Sequence, residues 1–282
     1  MAARQDVCIV VDSTGDIPKE VAERFDVTVV PMSVTIEGET FLDGSLSQRE
    51  FFDRMNGSKD LPTTSQPSVG TYGEVFRSRL EHYSEVVCFT VSNRLSGSLE
   101  SALEAARAFD GRVHVLDTLN LSWGEGCQAV EAARVAAAGG SVERIKARFE
   151  EFRAGVHMIV GIDSVENLAK GGRIGRVAAF MGSLLKMRIT FTVTDEGTFE
   201  PVGKVRGAMA GLQSSVDWIA TRIDERRPAD FAVQHAVSPE KAAWLEEAIR
   251  ARFNVGELLV VEAGPVISTH TGSGWGITAV QS

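Results

Sequence analysis

The pattern that most constrains this chain is the alternation of short apolar runs with amphipathic stretches in its first half. The runs Val7–Val11, Val27–Val30, Val86–Val91 and Val113–Leu116 have the length and residue types of buried strands. Helical patterns separate them, and strands that alternate with helices predict parallel strands joined by crossover helices. The first half is therefore expected to form an α/β domain with a mainly parallel sheet flanked by helices.

Local signals predict where several helices begin. Ser47-Gln48-Arg49-Glu50 has the spacing of a capping box, which predicts a helix from this point through Met55. The helical pattern Gln128–Ala138 is followed by Ser141, which predicts the N-cap of another helix, to about Arg153.

The pattern changes after about residue 160. Asp195-Glu196-Gly197 lies between the β-rich runs Ile189–Val193 and Thr198–Val202, which is typical of a hairpin and so of an antiparallel pair. Further helical patterns enclose one more strand. We therefore expect two α/β domains, residues 1–160 with a mainly parallel sheet and residues 161–282 with a mixed sheet.

Composition and charge restrict the function classes. Of the 282 residues, 44% are hydrophobic and 24% are charged, which is typical of a soluble globular protein. The formal net charge of -9 argues against non-specific binding to nucleic acid or an anionic membrane, because both require a basic surface. The three cysteines are isolated, so we expect reduced core residues and neither a zinc site nor a disulfide framework. No apolar run approaches a membrane span, the N-terminus lacks the features of a signal peptide, and the expected location is the cytoplasm.

Two glycine-rich polar segments are suited to holding a small anion. One is Lys170-Gly171-Gly172-Arg173-Ile174-Gly175, and the other is a loop predicted over residues 264–274, which includes His270. Glycine lets backbone N–H groups approach a ligand closely, while Arg, Thr and His supply directed donors. Neither segment carries a carboxylate pair, a metal-ligand cluster or a recognised nucleophile motif. The pattern favours anion binding over bond cleavage.

Three polar residues each allow a structural and a functional interpretation. Ser96 lies between a strand and a helix, but Arg94 and Ser98 replace the glycines of a nucleophile elbow. It therefore either caps the helix or contacts an anion at the helix start. Thr64 belongs to a polar run that is either a turn before a helix N-cap or part of a ligand site. His270 has threonine and glycine neighbours, so a site explains it as well as a structural histidine does.

One weak match to a dinucleotide fingerprint is present. Gly124-Glu125-Gly126-Cys127-Gln128-Ala129 has the spacing G-x-G-x-x-A, but the preceding strand is predicted to end near Asp117, too far upstream for the required tight turn. Packing at a helix start is the favoured interpretation, and a nucleotide-binding regulatory protein is the alternative. Gly203-Lys204 lacks the other residues of a P-loop.

Six short motifs, in order along the chain, resemble the DegV family of bacterial fatty-acid-binding proteins. They extend over nearly the whole length, which argues against a chance match. They are Val11–Pro18, Thr64–Ser68, Leu95–Ser98 with Ser101-Ala102, Lys170–Gly175, Lys204-Val205-Arg206, and Gly264–Ile267 with Thr269–Gly272.

The resemblance implies two α/β domains with one long-chain fatty acid buried between them, its acyl chain in an apolar tunnel. The family's contacts to the fatty-acid carboxylate fall on Thr64, Ser96 and Gly97, with His270 beside them. The supporting polar network that it implies consists of Ser65, Arg173, Thr269 and Thr271.

The resemblance further implies a lipid-binding protein and not an enzyme, with no cofactor, metal or nucleic acid. Family members of this type present the fatty acid to a separate fatty acid kinase, which forms an acyl phosphate for phospholipid synthesis. Arg206, in the Lys-x-Arg motif, matches a position implicated in docking that kinase. A transient encounter with a membrane surface is compatible with such a carrier. The alternative class is a serine hydrolase or acyltransferase using Ser96 and His270, against which stand the missing elbow and the lack of an evident acid to orient His270.

Three stretches depart from the family's pattern. Gly272-Ser273-Gly274-Trp275 replaces Gly-Pro-Gly after His-Thr, Asn93-Arg94 replaces smaller residues before Leu-Ser-Gly, and Lys186–Thr190 replaces a more apolar stretch. The first two are expected to alter the mouth of the pocket and the third its wall, and thereby the choice of acyl chain.

Overall fold

The computed structural model describes residues 6–180 and 187–281. They form two compact units, the first containing residues up to Ser33 together with Ser65–Ala154, and the second containing Val34–Thr64 and the chain from Gly155 onward. A boundary near residue 160 places residues 34–64 in the first domain, whereas in the structure this segment groups with the C-terminal unit.

The elements of the described residues are numbered in chain order. The strands are β1 (Val7–Asp12), β2 (Val27–Val30), β3 (Ser33–Ile36), β4 (Glu39–Leu42), β5 (Thr63–Ser65), β6 (Glu85–Thr90), β7 (Val113–Asp117), β8 (Val156–Ile162), β9 (Met187–Val193), β10 (Phe199–Arg206), β11 (Ala229–Ala236), β12 (Val255–Glu262) and β13 (Gly274–Val280). The α-helices are α1 (Lys19–Phe25), α2 (Gln48–Gly57), α3 (Val69–Leu80), α4 (Ser98–Ala106), α5 (Trp123–Ala137), α6 (Val142–Arg153), α7 (Glu166–Lys170), α8 (Ala208–Ala220), α9 (Pro239–Arg252) and α10 (Pro265–Thr271).

The first unit contains a four-stranded sheet in the order β2-β1-β6-β7, and every pair in it is parallel. The alternating side chains of β1 enter two separate cores. Ile9 and Val11 pack with residues of α5 and α6, whereas Val10 packs with Tyr72 and Phe76 of α3. Both faces of the sheet are therefore covered by helices, which confirms the fold predicted for this part of the chain.

Parallel pairing brings the carboxyl ends of the strands to one edge of this sheet. β1 ends at Asp12, β6 at Thr90 and β7 at Asp117, and the β6–α4 loop, which carries Ser96, leaves from this edge. In open α/β sheets this edge is where ligands bind.

The second unit contains a six-stranded mixed sheet in the order β10-β9-β8-β13-β11-β12. Only the β11–β12 pair is parallel among its described pairs. The predicted hairpin is confirmed as β9 and β10, which are longer than expected and contain a bulge at Pro201/Gly203. Helices α8 and α9 pack on this sheet around a core that includes Leu212, Leu245 and Trp275.

Specific polar contacts attach the segment 34–64 to the rest of the second unit. The side-chain amide of Gln48 donates to the carbonyls of His235 (3.0 Å) and Ala263 (3.1 Å), and its oxygen accepts from the N–H of Val237 (2.6 Å). These bonds use both ends of one side chain and join α2 to the ends of β11 and β12. The segment also supplies β3, β4 and β5, which form a three-stranded sheet in the order β4-β3-β5.

The predicted helix starts are confirmed at α2, where Ser47 and Glu50 form a complete capping box, and at α6, where Ser141 is the N-cap. The apolar run Val177–Leu185 predicts a further helix. Residues Gly175–Phe180 form a 3₁₀ helix instead, and the rest of that range lies outside the described residues. Within residues 6–180 and 187–281, we find no helix with the length and hydrophobicity needed to cross a bilayer.

Candidate functional site

Thr64 and His270 form a hydrogen-bonded pair in the second unit. Thr64 lies in the middle of the short strand β5, and His270 lies near the end of α10. The hydroxyl oxygen of Thr64 is 2.8 Å from Nε2 of His270, and both residues are half-buried. Two residues that are far apart in the sequence thus form one polar group.

The surroundings of the imidazole indicate which nitrogen carries the proton. Nδ1 of His270 is buried and has no hydrogen-bond partner among the described residues. A buried N–H without an acceptor is costlier than a bare ring nitrogen, which leaves the proton on Nε2. Nε2–H then donates to Thr64, and the hydroxyl hydrogen of Thr64 remains available for a ligand.

The turn after α7 shapes the other side of His270. A Cβ atom on Gly171 would lie 2.3 Å from Nδ1, so glycine is required at this position by the close approach of the ring. Arg173 donates from Nη1 to the carbonyl of Gly171 (2.6 Å) and so stays beside the turn. Burial, with the Arg173 charge as a smaller effect, lowers the pKa of His270 from 6.5 to about 4. The ring is therefore neutral at physiological pH, next to a positive charge that favours a bound anion.

The segment 264–274 was predicted as a polar loop, which is wrong for most of its length. Gly264 is the N-cap of α10, Pro265 occupies its first turn, and Gly272 ends it with a positive φ. The threonine hydroxyls turn back onto their own helix, from Thr269 to the carbonyl of Pro265 (2.8 Å) and from Thr271 to that of Ile267 (3.0 Å). Their hydroxyls hold the helix that positions His270.

Ser96 and Gly97 lie in the loop between β6 and α4 of the first unit. The expectation that Ser96 caps α4 is wrong by one residue, because Gly97 is the N-cap. Ser96 Oγ instead accepts from the N–H of Ser98, the first helical residue (3.3 Å). Gln66 holds the same loop by donating to the carbonyl of Gly97 (2.8 Å), and a Cβ on Gly97 would lie 2.5 Å from the oxygen of that amide.

The hydroxyl of Ser96 also has a defined environment. Its oxygen lies 3.2 Å from the hydroxyl of Ser98, which is fully buried and hydrogen-bonds to Asp12. Because the single hydrogen of Ser98 is used on that carboxylate, Ser96 acts as the donor in the Ser96–Ser98 contact. Among the described residues, a ligand that accepts from Ser96 therefore competes only with this one long contact.

Ser65 and Arg206 are both exposed. Ser65 ends β5 beside Thr64, and Arg206 is the last residue of β10. The N-cap of the following helix α8 is Gly207, without a side-chain cap. Arg206 is therefore placed where a partner protein can reach it.

A cleft of about 420 Å³ in the second unit borders the end of α10. Apart from Phe52, Met55 and Val237, it is lined mainly by polar side chains, including those of Asp53 and Asn167. The lining thus combines polar and apolar groups. No group of three or more His, Cys, Asp or Glu side chains in the described ranges could hold a metal ion.

The family model of DegV proteins matches residues 6–282. The chain belongs to the DegV family. A DegV domain-containing protein of Streptococcus pneumoniae is 33% identical over 271 residues, covering 95% of this chain and 96% of the relative. One of Deinococcus radiodurans is 32% identical over 269 residues, with 95% of each chain covered.

Solved structures of DegV proteins share the fold. A DegV family protein of Thermus thermophilus, described by its fatty-acid binding, superposes with a TM-score of 0.93 at 32% identity, covering 98% of this chain and 100% of that one. DegV of Bacillus subtilis, described as a fatty-acid-binding protein, has a TM-score of 0.89 at 28% identity, covering 99% of this chain and 100% of the other.

Two departures from the family pattern have structural explanations. Trp275, which follows the changed Gly272–Gly274 stretch, is 2% exposed and donates from Nε1 to Ser215 (3.0 Å). Its ring lies where Cβ atoms on Gly161 and Gly211 would be, 2.2 and 2.7 Å away, so it is a core residue.

Arg188, in the Lys186–Thr190 departure, lies in β9 and pairs with Asp163 at 2.7 Å, whereas Lys186 lies outside the described residues. Asp163 also contacts Lys241 (3.3 Å) and accepts from Ser273 (3.0 Å). Arg188 is therefore paired within the second unit, although it shares the single carboxylate of Asp163 with Lys241. Arg94, in the Asn93-Arg94 departure, is exposed, and nothing in the structure explains the change there.

The glycines of the G-x-G-x-x-A match serve packing, as the favoured interpretation predicts. A Cβ on Gly126 would lie 2.3 Å from the carbonyl oxygen of Gly15, and one on Gly124 would lie 2.2 Å from the side chain of Asn120. Sequence reasoning missed the residue between them, Glu125, which is fully buried near the equally buried Asp12. Two signals were available in the sequence. Glu125 lies between two glycines at a helix start, and Asp12 directly follows the apolar run Val7–Val11.

Proposed function

We propose that this protein binds one long-chain fatty acid and presents its carboxylate to a separate fatty acid kinase for acyl-phosphate formation. The observation that carries the proposal is the Thr64–His270 pair, whose tautomer leaves a hydroxyl donor available. It stands in a chain whose fold matches DegV structures described as fatty-acid-binding, those of Thermus thermophilus and Bacillus subtilis.

The donors in the proposed site suit a carboxylate. The hydroxyls of Thr64 and Ser96, together with the backbone of Gly97, are its proposed direct contacts. Neutral His270 orients Thr64, and Arg173 supplies positive charge at a short distance. Hydroxyl and N–H donors stabilise an anion without a directly paired cation, so the bound carboxylate keeps its charge.

Burial of the acyl chain supplies the affinity. A C16 tail of about fourteen methylenes contributes on the order of 11 kcal/mol gross at ~0.8 kcal/mol each, before the costs of association. That contribution explains how a ligand with one polar end is retained tightly.

Presentation to a kinase is consistent with the chemistry of the proposed ligand. A fatty-acid carboxylate is already ionised at neutral pH, so its attack on a phosphoryl group requires no general base from the carrier. The groups that handle nucleotide and metal then belong to the partner. Exposed Arg206 is the proposed contact with that partner.

The described geometry does not favour the serine hydrolase alternative. In a triad the histidine accepts from the nucleophile through one nitrogen and is oriented by an acid at the other. Nε2 of His270 contacts Thr64 instead of a serine, and within the described ranges Nδ1 has no acid beside it.

Mass spectrometry of the protein purified from a lipid-containing host, before and after denaturation, tests the proposal. About one equivalent of a long-chain fatty acid is expected, together with thermal stabilisation of delipidated protein by palmitate or oleate. Ligand at 100 times its dissociation constant stabilises by about 2.7 kcal/mol. Absence of both co-purified fatty acid and stabilisation would contradict the proposal, and turnover of acyl esters would favour the hydrolase.

A further inference from the structure

Two fully buried carboxyl groups in the first unit contact the same hydroxyl. Asp12 ends β1 and Glu125 lies in the first turn of α5, and both are 0% exposed. Oγ1 of Thr14 hydrogen-bonds Oδ1 of Asp12 and lies 3.1 Å from Oε2 of Glu125. The family resemblance assigns no function to these two carboxyl groups.

The number of hydrogen atoms available requires that either Asp12 or Glu125 is protonated. The Thr14 hydroxyl has one hydrogen and can donate to only one carboxyl group, while an ionised carboxylate can only accept. If both groups were ionised, one of the two contacts would join lone pairs with no hydrogen between them. One carboxyl group must therefore carry the proton that makes the second contact a hydrogen bond.

The donors around the pair show which group is protonated. Asp12 accepts from the N–H of Val91 (3.0 Å) and of Thr14 (3.1 Å), and from the hydroxyl of Ser98. Glu125 contacts only Thr14 through Oε2, and its Oε1 lacks a hydrogen-bond partner in the described part of the chain. The charge belongs on Asp12, where three further donors meet it, and the proton belongs on Glu125.

The electrostatic environment agrees with this assignment. Burial raises the pKa of Asp12, but the hydrogen bonds from Thr14, Val91 and Ser98 oppose that rise. Burial is the main cause that raises the pKa of Glu125 well above its ordinary value, and the nearby acids Asp12, Asp16 and Asp117 raise it further. Tyr72 of α3 and Cys88 of β6, which also face the pair, are held neutral by their own raised pKa values.

Asp12 holds both ends of the loop that carries Ser96 and Gly97. Val91 is the first residue after β6 and Ser98 is the first residue of α4, so a single carboxylate bonds to the two boundaries of the loop. Asp117, at the end of the other neighbouring strand β7, accepts from the N–H of Asn93 within the loop (3.3 Å).

We propose that Glu125 is a neutral acid that donates to Thr14, that Thr14 donates to ionised Asp12, and that this relay positions the loop 91–98. Asp12, Thr14 and Glu125 are thus positioning residues, and their effect on ligand affinity rests on the proposed fatty-acid function. The relay itself does not depend on that function.

The same chemical change at the two carboxyl groups gives opposite expected results. In Glu125→Gln the amide N–H replaces the acid O–H as donor to Thr14, so stability at pH 7 should be unchanged or higher. In Asp12→Asn an N–H₂ group faces backbone N–H groups, so hydrogen exchange of residues 91–98 should accelerate at least about tenfold, which corresponds to a lost hydrogen bond to a charged group. Thr14→Ser keeps the hydroxyl and should show the wild-type exchange rates. Thr14→Val removes it and should accelerate exchange of residues 91–98, but less than Asp12→Asn does.

Measurements on ligand-free protein decide the proposal. A carboxylic-acid infrared band at pH 7 should be present in the wild type and absent in Glu125→Gln. Stability of the wild type should fall as pH rises through the folded-state pKa of Glu125, because that pKa lies above the unfolded value, and Glu125→Gln should lack this fall. Absence of the band, or equal destabilisation by both amide variants, would overturn the assignment. If Asp12→Asn does not fold, the Thr14→Val and Thr14→Ser pair gives the exchange result, and equal rates in both would overturn the relay.

Palmitate affinity then separates this proposal from the function. Asp12→Asn should lower it at least about tenfold, and Glu125→Gln should leave it within about twofold of the wild type. If the loop loosens without loss of affinity, the relay stands and the carboxylate does not bind at Ser96.

Discussion

The imidazole of His270 donates from Nε2 to the hydroxyl of Thr64 over 2.8 Å, while its Nδ1 faces Gly171 without a hydrogen-bond partner in the described residues. A structural histidine in a core usually has both nitrogens satisfied. In His270 the acceptor nitrogen Nδ1 is unsatisfied. Nε2–H donates to the oxygen of Thr64, so the hydroxyl hydrogen of Thr64 can itself be donated. The arrangement orients one hydroxyl hydrogen, which is what an anion site requires.

Replacing Thr64 by valine should weaken fatty-acid binding. The change removes the proposed donor at nearly constant volume, and loss of a hydrogen bond to a charged group costs about 1.5–3 kcal/mol. Isothermal titration of delipidated protein with palmitate measures the effect, and Thr64→Ser should retain most of the affinity. Thr63→Val is the matched control, because Thr63 is exposed on the same strand. Equal affinities of Thr64→Val and Thr63→Val would place the carboxylate elsewhere.

The lowered pKa of His270 makes stability depend on pH. The folded state binds this proton at about pH 4 and the unfolded state at about 6.5, so acidification favours the unfolded state. The contribution should fall as pH drops from about 6.5 to about 4, by about 3 kcal/mol in total. Urea titrations across this range should give a shallower loss of stability for His270→Gln. Equal slopes for His270→Gln and the wild type would contradict this assignment.

The fold of each unit follows from local patterns, because apolar runs and helix caps are determined by neighbouring residues. The capping box at Ser47 and the hairpin at Asp195–Gly197 are examples. The grouping of residues 34–64 with the C-terminal unit depends on Gln48, whose bonds reach 187 and 215 positions along the chain. Contacts over such distances leave no periodic pattern in the sequence from which they could be predicted.

The contacts of the proposed site residues follow less directly from the sequence. The family resemblance implies a ligand network that includes Thr269 and Thr271, but helix formation directs their hydroxyls to carbonyls four residues earlier. The sequence does contain a helix signal, Gly264-Pro265 at the start and Gly272 at the end. The polar composition of the segment outweighed that signal in the prediction of a loop. Asp12 and Glu125 were missed because an isolated charged residue is ordinarily exposed, and only their hydrogen-bond partners in three dimensions explain their burial.

The Trp275 core should not tolerate a methyl group on Gly161. The two residues are directly paired between β13 and β8, and the indole is fixed by its bond to Ser215. A Cβ 2.2 Å from the ring must displace it, which should destabilise the protein by about 1–3 kcal/mol or more. Gly73→Ala in α3 is the contrasting variant, because a Cβ there has no neighbour within 4 Å among the described atoms, and it should stabilise by about 0.5–1 kcal/mol. Urea unfolding of both variants gives the comparison, and a wild-type midpoint for Gly161→Ala would show that the ring moves freely.

Arg206→Ala should separate ligand binding from partner recognition. Arg206 is exposed at the end of β10, and the helix after it is capped without its side chain, so its removal should leave the fold and the fatty-acid affinity unchanged. An arginine at the rim of a protein interface acts mainly on the association rate, through charges on the partner. Acyl-phosphate formation with the cognate kinase should therefore slow several-fold at low ionic strength, and the difference from the wild type should shrink as salt screens the interaction. Arg250→Ala removes an exposed arginine that pairs with Glu246 on α9 and should behave as the wild type. Equal rates and equal salt dependence for Arg206→Ala and Arg250→Ala would show that the kinase docks on another surface.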